Sequence, residues 1–566
     1  MSKFATIVDA LHARSQSDEL AYIFLSDGTA DSETRWTYRE VASVSGVFAE
    51  RMKMEGVRAG DRVVLALNPS LDYIAALYAI MQIGAVAVPS FPPIRPKELD
   101  RFVLSALDSR PAAVIIDAMY REPMGSVSKR LAERGIDAKV IQPGMEGTSS
   151  SSVIDGNEHR PRPDALALIQ YTSGSTGSPK GVCVTHANLV SNCESLGRSM
   201  GFDPNRIGLS WLPPYHDMGL MGTIILSAYH GWPLVMMSPV HFIQEPYRWL
   251  RAISDYGVTI TVGPNFSLDL CTSSIDDAEL SGLELGSLRE FYCGAEPIRH
   301  ATLTAFEDKF GVCGFDAASF IPCYGMAEAT LFVAGKPAGT RYQVMSKPGI
   351  TGDTTHVSCG VVDSDHIVRI VDPDSGSVVA PGEIGEIWVA GPNVTEGYLG
   401  MGELTSTVFH AHVADDGQQY LRTGDLGFTL DSELYVTGRI KDVIIVNARN
   451  IYPQDVESNL LRGVPEVRHV AAVSVPGHDT EGLGVIVESR LREMTAELHA
   501  ETIERVRASV IAELGIAPKV IHVGPRGTVP TTTSGKVRRQ QAKALLLSGE
   551  LPTYELAASP VLEVAQ

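Results

Sequence analysis

The chain has 566 residues, of which 44% are hydrophobic and 20% charged, with a formal net charge of −20. This is too long for one ordinary core, so two or more globular domains are expected, and no long stretch has the composition of a disordered segment. The acidic balance excludes a general nucleic-acid binder, because it repels phosphate backbones and no long basic run offsets it; any nucleotide bound is a small one, held locally.

In chain order, "MSKFATIVDALHARSQS" reads as a short amphipathic helix without a secretory apolar core. The one uncharged apolar stretch, Tyr73 to Phe91, is interrupted by Gln82, Gly84 and Pro89, which predicts a buried helix running into a buried strand and no membrane insertion. Strand-like runs at 61–67, 85–90, 112–117, 165–171, 258–263 and 288–294 alternate with helical ones such as 245–257 and 301–311. That alternation predicts an α/β fold of mostly parallel sheets with flanking helices. From about residue 358 strands and turns dominate, and after about 441 helix and strand alternate over a separate stretch that ends in the loop "PTTTSGK". The expected organisation is a large domain over 1–440, with a β-rich subdomain over about 358–440, and a small α+β domain over 441–566. All seven cysteines fall between Cys183 and Cys359 without a C-x-x-C, as suits reduced thiols in a cytoplasmic protein. The Ser-rich segment 146–153 reads as a surface loop.

The stretch "YTSGSTGSPKGV" (171–182) packs glycines and hydroxyls around Lys180. Preceded by an apolar strand and followed by the helical "THANLVSNCESLG", it is expected between a strand and a helix, where backbone N–H groups grip phosphate. It is not a Walker A loop, since Pro179 and Gly181 flank the lysine.

Together with "PPYHDMG" (213–219), "GAEP" (294–297), "YGMAE" (324–328), "GEI" (385–387), "RTGD" (422–425), "GRIKD" (438–442) and "TTTSGK" (531–536), this loop resembles the adenylate-forming superfamily of acyl-CoA synthetases, nonribosomal-peptide adenylation domains and luciferases. The motifs fall in the superfamily's order over nearly the whole chain. Within it, "LPPYHDMGLMG", "YGMAEATL" and "RNIYPQDVE" look most like the fatty acyl-AMP ligases. The resemblance implies ATP-dependent conversion of a fatty acid to acyl-adenylate with release of pyrophosphate, then transfer to the phosphopantetheine thiol of an acyl carrier protein.

It also implies roles for particular residues. Attack of a carboxylate on the α-phosphorus builds negative charge that fixed donors and cations must meet. Thr172, Ser173, Gly174, Ser175, Thr176, Gly177 and Lys180 would hold the β- and γ-phosphates, and Glu328 would offer the oxygen ligand that Mg²⁺ prefers, although a metal-free helix-start carboxylate also fits it. Tyr324 would stack on adenine, with Gly294, Ala295 and Glu296 along the base edge and Gly325, Met326 and Ala327 continuing the site. Asp425 would accept the ribose hydroxyls and Arg439 would reach ribose or the α-phosphate. Lys536 is the main catalytic candidate, reaching the α-phosphate and the carboxylate. His216 would stand beside the acyl carboxylate, although His216 and Asp217 also fit an ordinary hydrogen-bonded pair, and part of "GLMGTIILSAYHGWPLVMM" would line an acyl tunnel. Lys441 occupies the hinge about which the small C-terminal domain would turn between the two half-reactions.

Ala327 stands where most of the superfamily has threonine, as in acyl-AMP ligases, whereas Leu331 to His356 is shorter than the insertion those ligases carry against CoA. Ala448 stands where glycine is usual near the pantetheine channel. An acyl-CoA ligase that uses free CoA therefore remains an alternative, as does, from another class, a non-catalytic acyl-adenylate-binding protein. Lys536, Arg538, Arg539 and Lys543 form a candidate basic patch for an acidic carrier.

Overall fold

The computed structural model describes residues 3–93, 96–143, 160–172, 179–201, 203–348, 353–414, 416–446, 449–476, 481–532 and 536–555. Its first sheet has six strands in the order Lys139–Ile141, Ala113–Ile116, Arg62–Ala66, Val86–Pro89, Leu166–Thr172, Lys180–Thr185. The first five run parallel. The four inner ones have interiors buried on both faces, which is why they read in the sequence as apolar runs, whereas the edge strand Lys139–Ile141 buries only Ile141. The predicted buried helix is Leu71–Gln82; Ser70 caps it by accepting from the Tyr73 N–H, and every residue from Tyr73 to Met81 is buried.

The sixth strand corrects the expected placement of the glycine-rich loop. Lys180–Thr185 runs antiparallel to Leu166–Thr172, with Thr172 opposite Lys180, so the loop closes a β-hairpin and the helix His186–Ser199 begins only afterwards. The alternation in "KGVCVT", which buries Val182 and Val184, makes this segment a strand, and pairing with the strand just before the loop makes it antiparallel. Gly181 lets the hairpin close, since a Cβ there would lie 2.7 Å from Ile169 Cγ2.

A second, mixed sheet of 15 strands carries the rest of the larger part. Leu20–Leu25, Leu234–Met237, Gly208–Ser210, Ile260–Gly263, Glu290–Cys293 and Phe320–Gly325 form its parallel portion. The β-rich stretch joins the same sheet: Phe332–Gly335 turns back antiparallel and leads to Asp353–Val362, Glu433–Arg439, Gln419–Leu430 and Gly385–Ala390. One hydrophobic core runs from Ile7 to Leu434, and another fills the outer face of the six-stranded sheet. Residues from Ile444 onward build a separate core on the three-stranded sheet Val467–Val475, Gly482–Ser489, Val520–Gly524. All seven cysteines are free thiols. Among the described residues no helix is long and apolar enough to cross a membrane.

Candidate active site

The parallel strands of the large sheet deliver their carboxyl ends to one cavity of about 1830 Å³, the place where open α/β sheets take ligands. Every described candidate residue except Gly294 and Lys543 lines it. Ser173, Gly174, Ser175, Thr176 and Gly177 lie outside the described residues, as does Ala448.

Thr172 and Lys180 hold the two ends of the hairpin tip. Lys180 Nζ lies 5.0 Å above the ring of Tyr398, whose hydroxyl donates to Glu328 Oε1 at 2.8 Å. Burial, and then the neighbouring Lys441, push the Lys180 ammonium below the usual lysine range. Burial pushes the Glu328 carboxyl up, with the Tyr398 hydrogen bond opposing. Tyr398 carries no motif, and only the contact reveals it. The segment that bears it is tied to the hairpin by Leu399 N–H to Gly181 O and by Cys183 N–H to Gly397 O.

Glu328 follows the strand Phe320–Gly325, whose end is shaped by close approach: a Cβ on Gly325 would run into the carbonyl of Leu331. Thr330, just beyond, holds φ at +59°, a sparsely allowed region for a threonine, and is kept there by its hydroxyl donating to Asn393 O at 2.6 Å. Gly294 performs a similar service one strand away, where a Cβ would meet Cys323 Sγ at 2.9 Å, and Ala295 after it takes φ of +68°. Burial raises the pKa of Glu296, and the Phe266 N–H that it accepts works against this.

Asp425 and Arg439 face each other across antiparallel strands, with Arg439 Nε 2.8 Å from Asp425 Oδ1. Tyr324, 101 residues earlier, donates its hydroxyl to Asp425 Oδ2 at 2.9 Å. The turn that presents Asp425 is held by Glu386 of "GEI": its Oε2 accepts from Nε and Nη2 of Arg422, and its Oε1 from the Gly424 N–H. Glu386 is thus a positioning carboxylate, a role the sequence reading did not assign.

His216 Nδ1 and Asp217 Oδ1 are 2.7 Å apart. Burial drives the Asp217 carboxyl up, but His216, Lys536 and the Met218 N–H outweigh it and hold the group at about 2. The preceding turn is pinned by Tyr73, whose hydroxyl donates to Pro214 O, and by Gln170, which donates to Tyr215 O. Beyond His216 the helix passes through a π-helical stretch, Leu220–Ile225, and sets Met218, Gly222 and Leu226 along the wall of an apolar arm of the cavity.

Lys536 enters from the C-terminal part. Its own N–H donates to Thr532 Oγ1 at 3.0 Å, and its ammonium reaches the field of Asp217, Glu296, Asp425 and Arg439. Burial lowers its pKa, and Asp217 opposes. Lys441 sits in the short turn Ile440–Asp442, where its carbonyl accepts from Gln540 Nε2.

The anticipated basic patch is not free. Arg539 forks Glu457 at 2.8 and 2.7 Å and reaches Asp442 at 3.0 Å, and Lys543 Nζ donates to Ser474 Oγ. Those acids neutralise Arg539 inside the fold, so Arg539 and Lys543 serve the fold itself.

Residues 10–399 match the family of AMP-binding enzymes, so the chain belongs to that family. It is an adenylating ligase of the fatty acyl-AMP ligase type. It is 34% identical over 582 residues, 98% of each chain, to a medium-chain-fatty-acid–[acyl-carrier-protein] ligase, JamA, of Moorena producens (strain JHB). It is also 34% identical over 509 residues to a putative fatty-acid–CoA ligase, fadD21, of Mycobacterium leprae (strain TN), covering 85% of this chain and 86% of that one. Among solved structures, a fatty acyl-adenylate ligase from L. pneumophila in complex with acyl adenylate and pyrophosphate superposes with a TM-score of 0.73 at 33% identity, over 97% of both chains.

Proposed function

We propose that the protein activates a fatty acid with ATP, releasing pyrophosphate, and passes the acyl group from the adenylate to the phosphopantetheine thiol of an acyl carrier protein. The carrying observation is the convergence of Lys536 with Asp217, Asp425 and Arg439 at the head of an apolar arm. A buried ammonium among carboxylates is a preorganised counter-charge for a pentavalent phosphorus, and it costs no reorganisation when the charge develops. The relatives' names support a fatty substrate, and the Moorena ligase supports a carrier as acceptor.

In this reading Asp425 orients the ribose while Tyr324 and Arg439 fix its carboxylate. Thr172, Lys180 and residues 173–177 hold the polyphosphate, His216 with Asp217 borders the acyl carboxylate, and Gly294 to Glu296 with Gly325 to Ala327 border the base. Among the described residues no three acidic, histidine or cysteine side chains gather as a metal cage. Glu328 alone still fits Mg²⁺, which is commonly held by one or two carboxylates with substrate phosphates, and Tyr398 leaves its second oxygen available. When bound, Mg²⁺ would neutralise phosphate charge.

The carboxylate attacks the α-phosphorus and pyrophosphate departs; the thiol then attacks the acyl carbonyl and AMP departs. In this reading residues 441–566 turn about Lys441 between the steps, which withdraws Lys536 and opens a path for the thiol. Lys441→Pro should leave acyl-AMP formation measurable and collapse thioester transfer; equal loss of both would count against the hinge.

The second reading, an acyl-CoA ligase, is favoured by the name of the mycobacterial relative. Incubation with ATP, Mg²⁺ and a ladder of radiolabelled fatty acids, with and without CoA, separates them. Acyl-AMP that accumulates despite CoA supports the carrier-loading ligase, and conversion to acyl-CoA replaces it with the second reading. Absence of any acyl-AMP overturns both.

A further inference from the structure

The acidity of the chain is unevenly spread. Residues 441–566 contain 14 Lys and Arg against 15 Asp and Glu, and residues 1–440 contain 33 against 52. Nearly all of the net charge of −20 therefore lies on the larger part, and an acidic macromolecule is repelled there.

On the C-terminal part, basic charge is gathered around one carboxylate. Glu488, 4% exposed on the strand Gly482–Ser489, accepts the N–H groups of Gly527 (2.9 Å) and Val529 (3.3 Å) with Oε2, and its Oε1 lies 3.7 Å from Arg468 Nη1. Arg490 donates from Nε to Val467 O at 3.0 Å, which holds it next to Arg468. Arg526 immediately precedes the glycine that Glu488 grips. Arg468 thus faces the carboxylate while Arg490 and Arg526 stand beside Arg468, and Arg490 and Arg526 are exposed. Neither of those two meets a carboxylate among the described residues. Burial and then the nearness of Arg526 and Arg490 push the Arg468 guanidinium below its usual range, as crowded cations require. Arg468 and Arg490 also line the cleft that contains Lys536.

We propose that Arg468, Arg490 and Arg526 form the docking surface for an acidic carrier protein that brings the acceptor thiol. The inference rests on the carrier reading above and deepens it by locating the partner's contact. A cationic cluster on the neutral part of an otherwise anionic protein steers an acidic partner to one place and excludes it elsewhere. The same loop connects the cluster to Lys536: Glu488 fixes its base at Gly527 and Val529, and Lys536 follows seven residues later.

The test uses the full chain carrying R526E, at an exposed position that is not among the residues lining the cavity. Three rates are compared with the unsubstituted protein: pyrophosphate release with fatty acid and ATP, acyl transfer to an acidic holo-acyl carrier protein of fatty-acid synthesis, and acyl transfer to free pantetheine. Carrier loading is expected to fall about tenfold in kcat/KM, with the other two rates within about twofold, and the salt sensitivity of loading should weaken. Unchanged loading, or an equal fall with pantetheine, overturns the surface. An unsubstituted protein that makes acyl-AMP and loads CoA but no carrier overturns the acceptor reading itself, and this surface with it.

Discussion

Replacing Gly222 by valine is expected to shorten the fatty acid that is activated rather than to abolish activation. Gly222 lies between Met218 and Leu226 on the apolar arm, and a Cβ there would stand 2.9 Å from Leu331 Cδ2, another lining side chain. The leucine tip can yield to one methyl, whereas the two γ-methyls of valine enter the bore. From Met218 to Leu226 the helix advances about 12 Å, so about 6 Å of arm, roughly four methylenes, lies beyond Gly222. Each methylene that can no longer be buried forfeits about 0.8 kcal/mol, and four forfeit about 3 kcal/mol. That is about a hundredfold in kcat/KM for acids that reach past the block, with little change for acids that stop short of it. Pyrophosphate release measured from butyrate to palmitate reads the profile directly. Leu226→Ala should shift it the other way. An equal loss at every length would refute the reasoning, since it would report damage to the helix, and an unchanged profile would show that the acid lies elsewhere.

Lys536→Ala should lower acyl-AMP formation by about 100-fold or more while transfer from preformed acyl-AMP stays within about threefold, as followed by separate half-reaction assays. Because burial lowers the pKa of Lys536, adenylation should decline on the alkaline side before ordinary lysines titrate, and Lys536→Arg should carry the remaining activity through that decline. Arg539→Ala leaves Glu457 and Asp442, both largely buried, without their counter-charge, and should cost about 3 kcal/mol in denaturant unfolding, against about 0.5 kcal/mol or less for Arg538→Ala. His186 is 1% exposed, neither ring nitrogen is hydrogen-bonded among the described residues, and burial holds its pKa at about 4. The unfolded chain takes up that proton near pH 6.5 and the native state only near 4, so stability should fall between those values as pH drops, by about 3 kcal/mol in all. His186→Phe should remove that part of the slope, and equal slopes in the two proteins would exclude His186 as its source.

What was legible in the sequence follows from what each pattern encodes. Parallel strands such as Ala113–Ile116 were visible because burial on both faces leaves an apolar run with no polar alternation, and the helix Leu71–Gln82 because a long apolar segment is interrupted at Gln82 and Gly84. The direction of Lys180–Thr185 was not visible, because it depends on which neighbour the strand meets after the loop rather than on its own composition. The candidate residues could be named from ordered motifs, but their couplings could not: Tyr324 finds Asp425 through the sheet, and Tyr398 finds Glu328 across 70 residues.

Charge shows the difference most clearly. "GKVRRQQAK" announces its sign but not its partners, and the acids that consume Arg539 lie 82 and 97 residues away. Arg468, Arg490 and Arg526 are each isolated in sequence and become a cluster only because the antiparallel pairing of Val467–Val475 with Gly482–Ser489 brings the first two together, while Glu488 draws in the loop that follows the third strand. A run of like charge near a catalytic lysine is thus weak evidence for docking until its counter-ions are known. A cluster assembled by the fold beside one already-committed carboxylate retains cationic charge that is free to meet a partner.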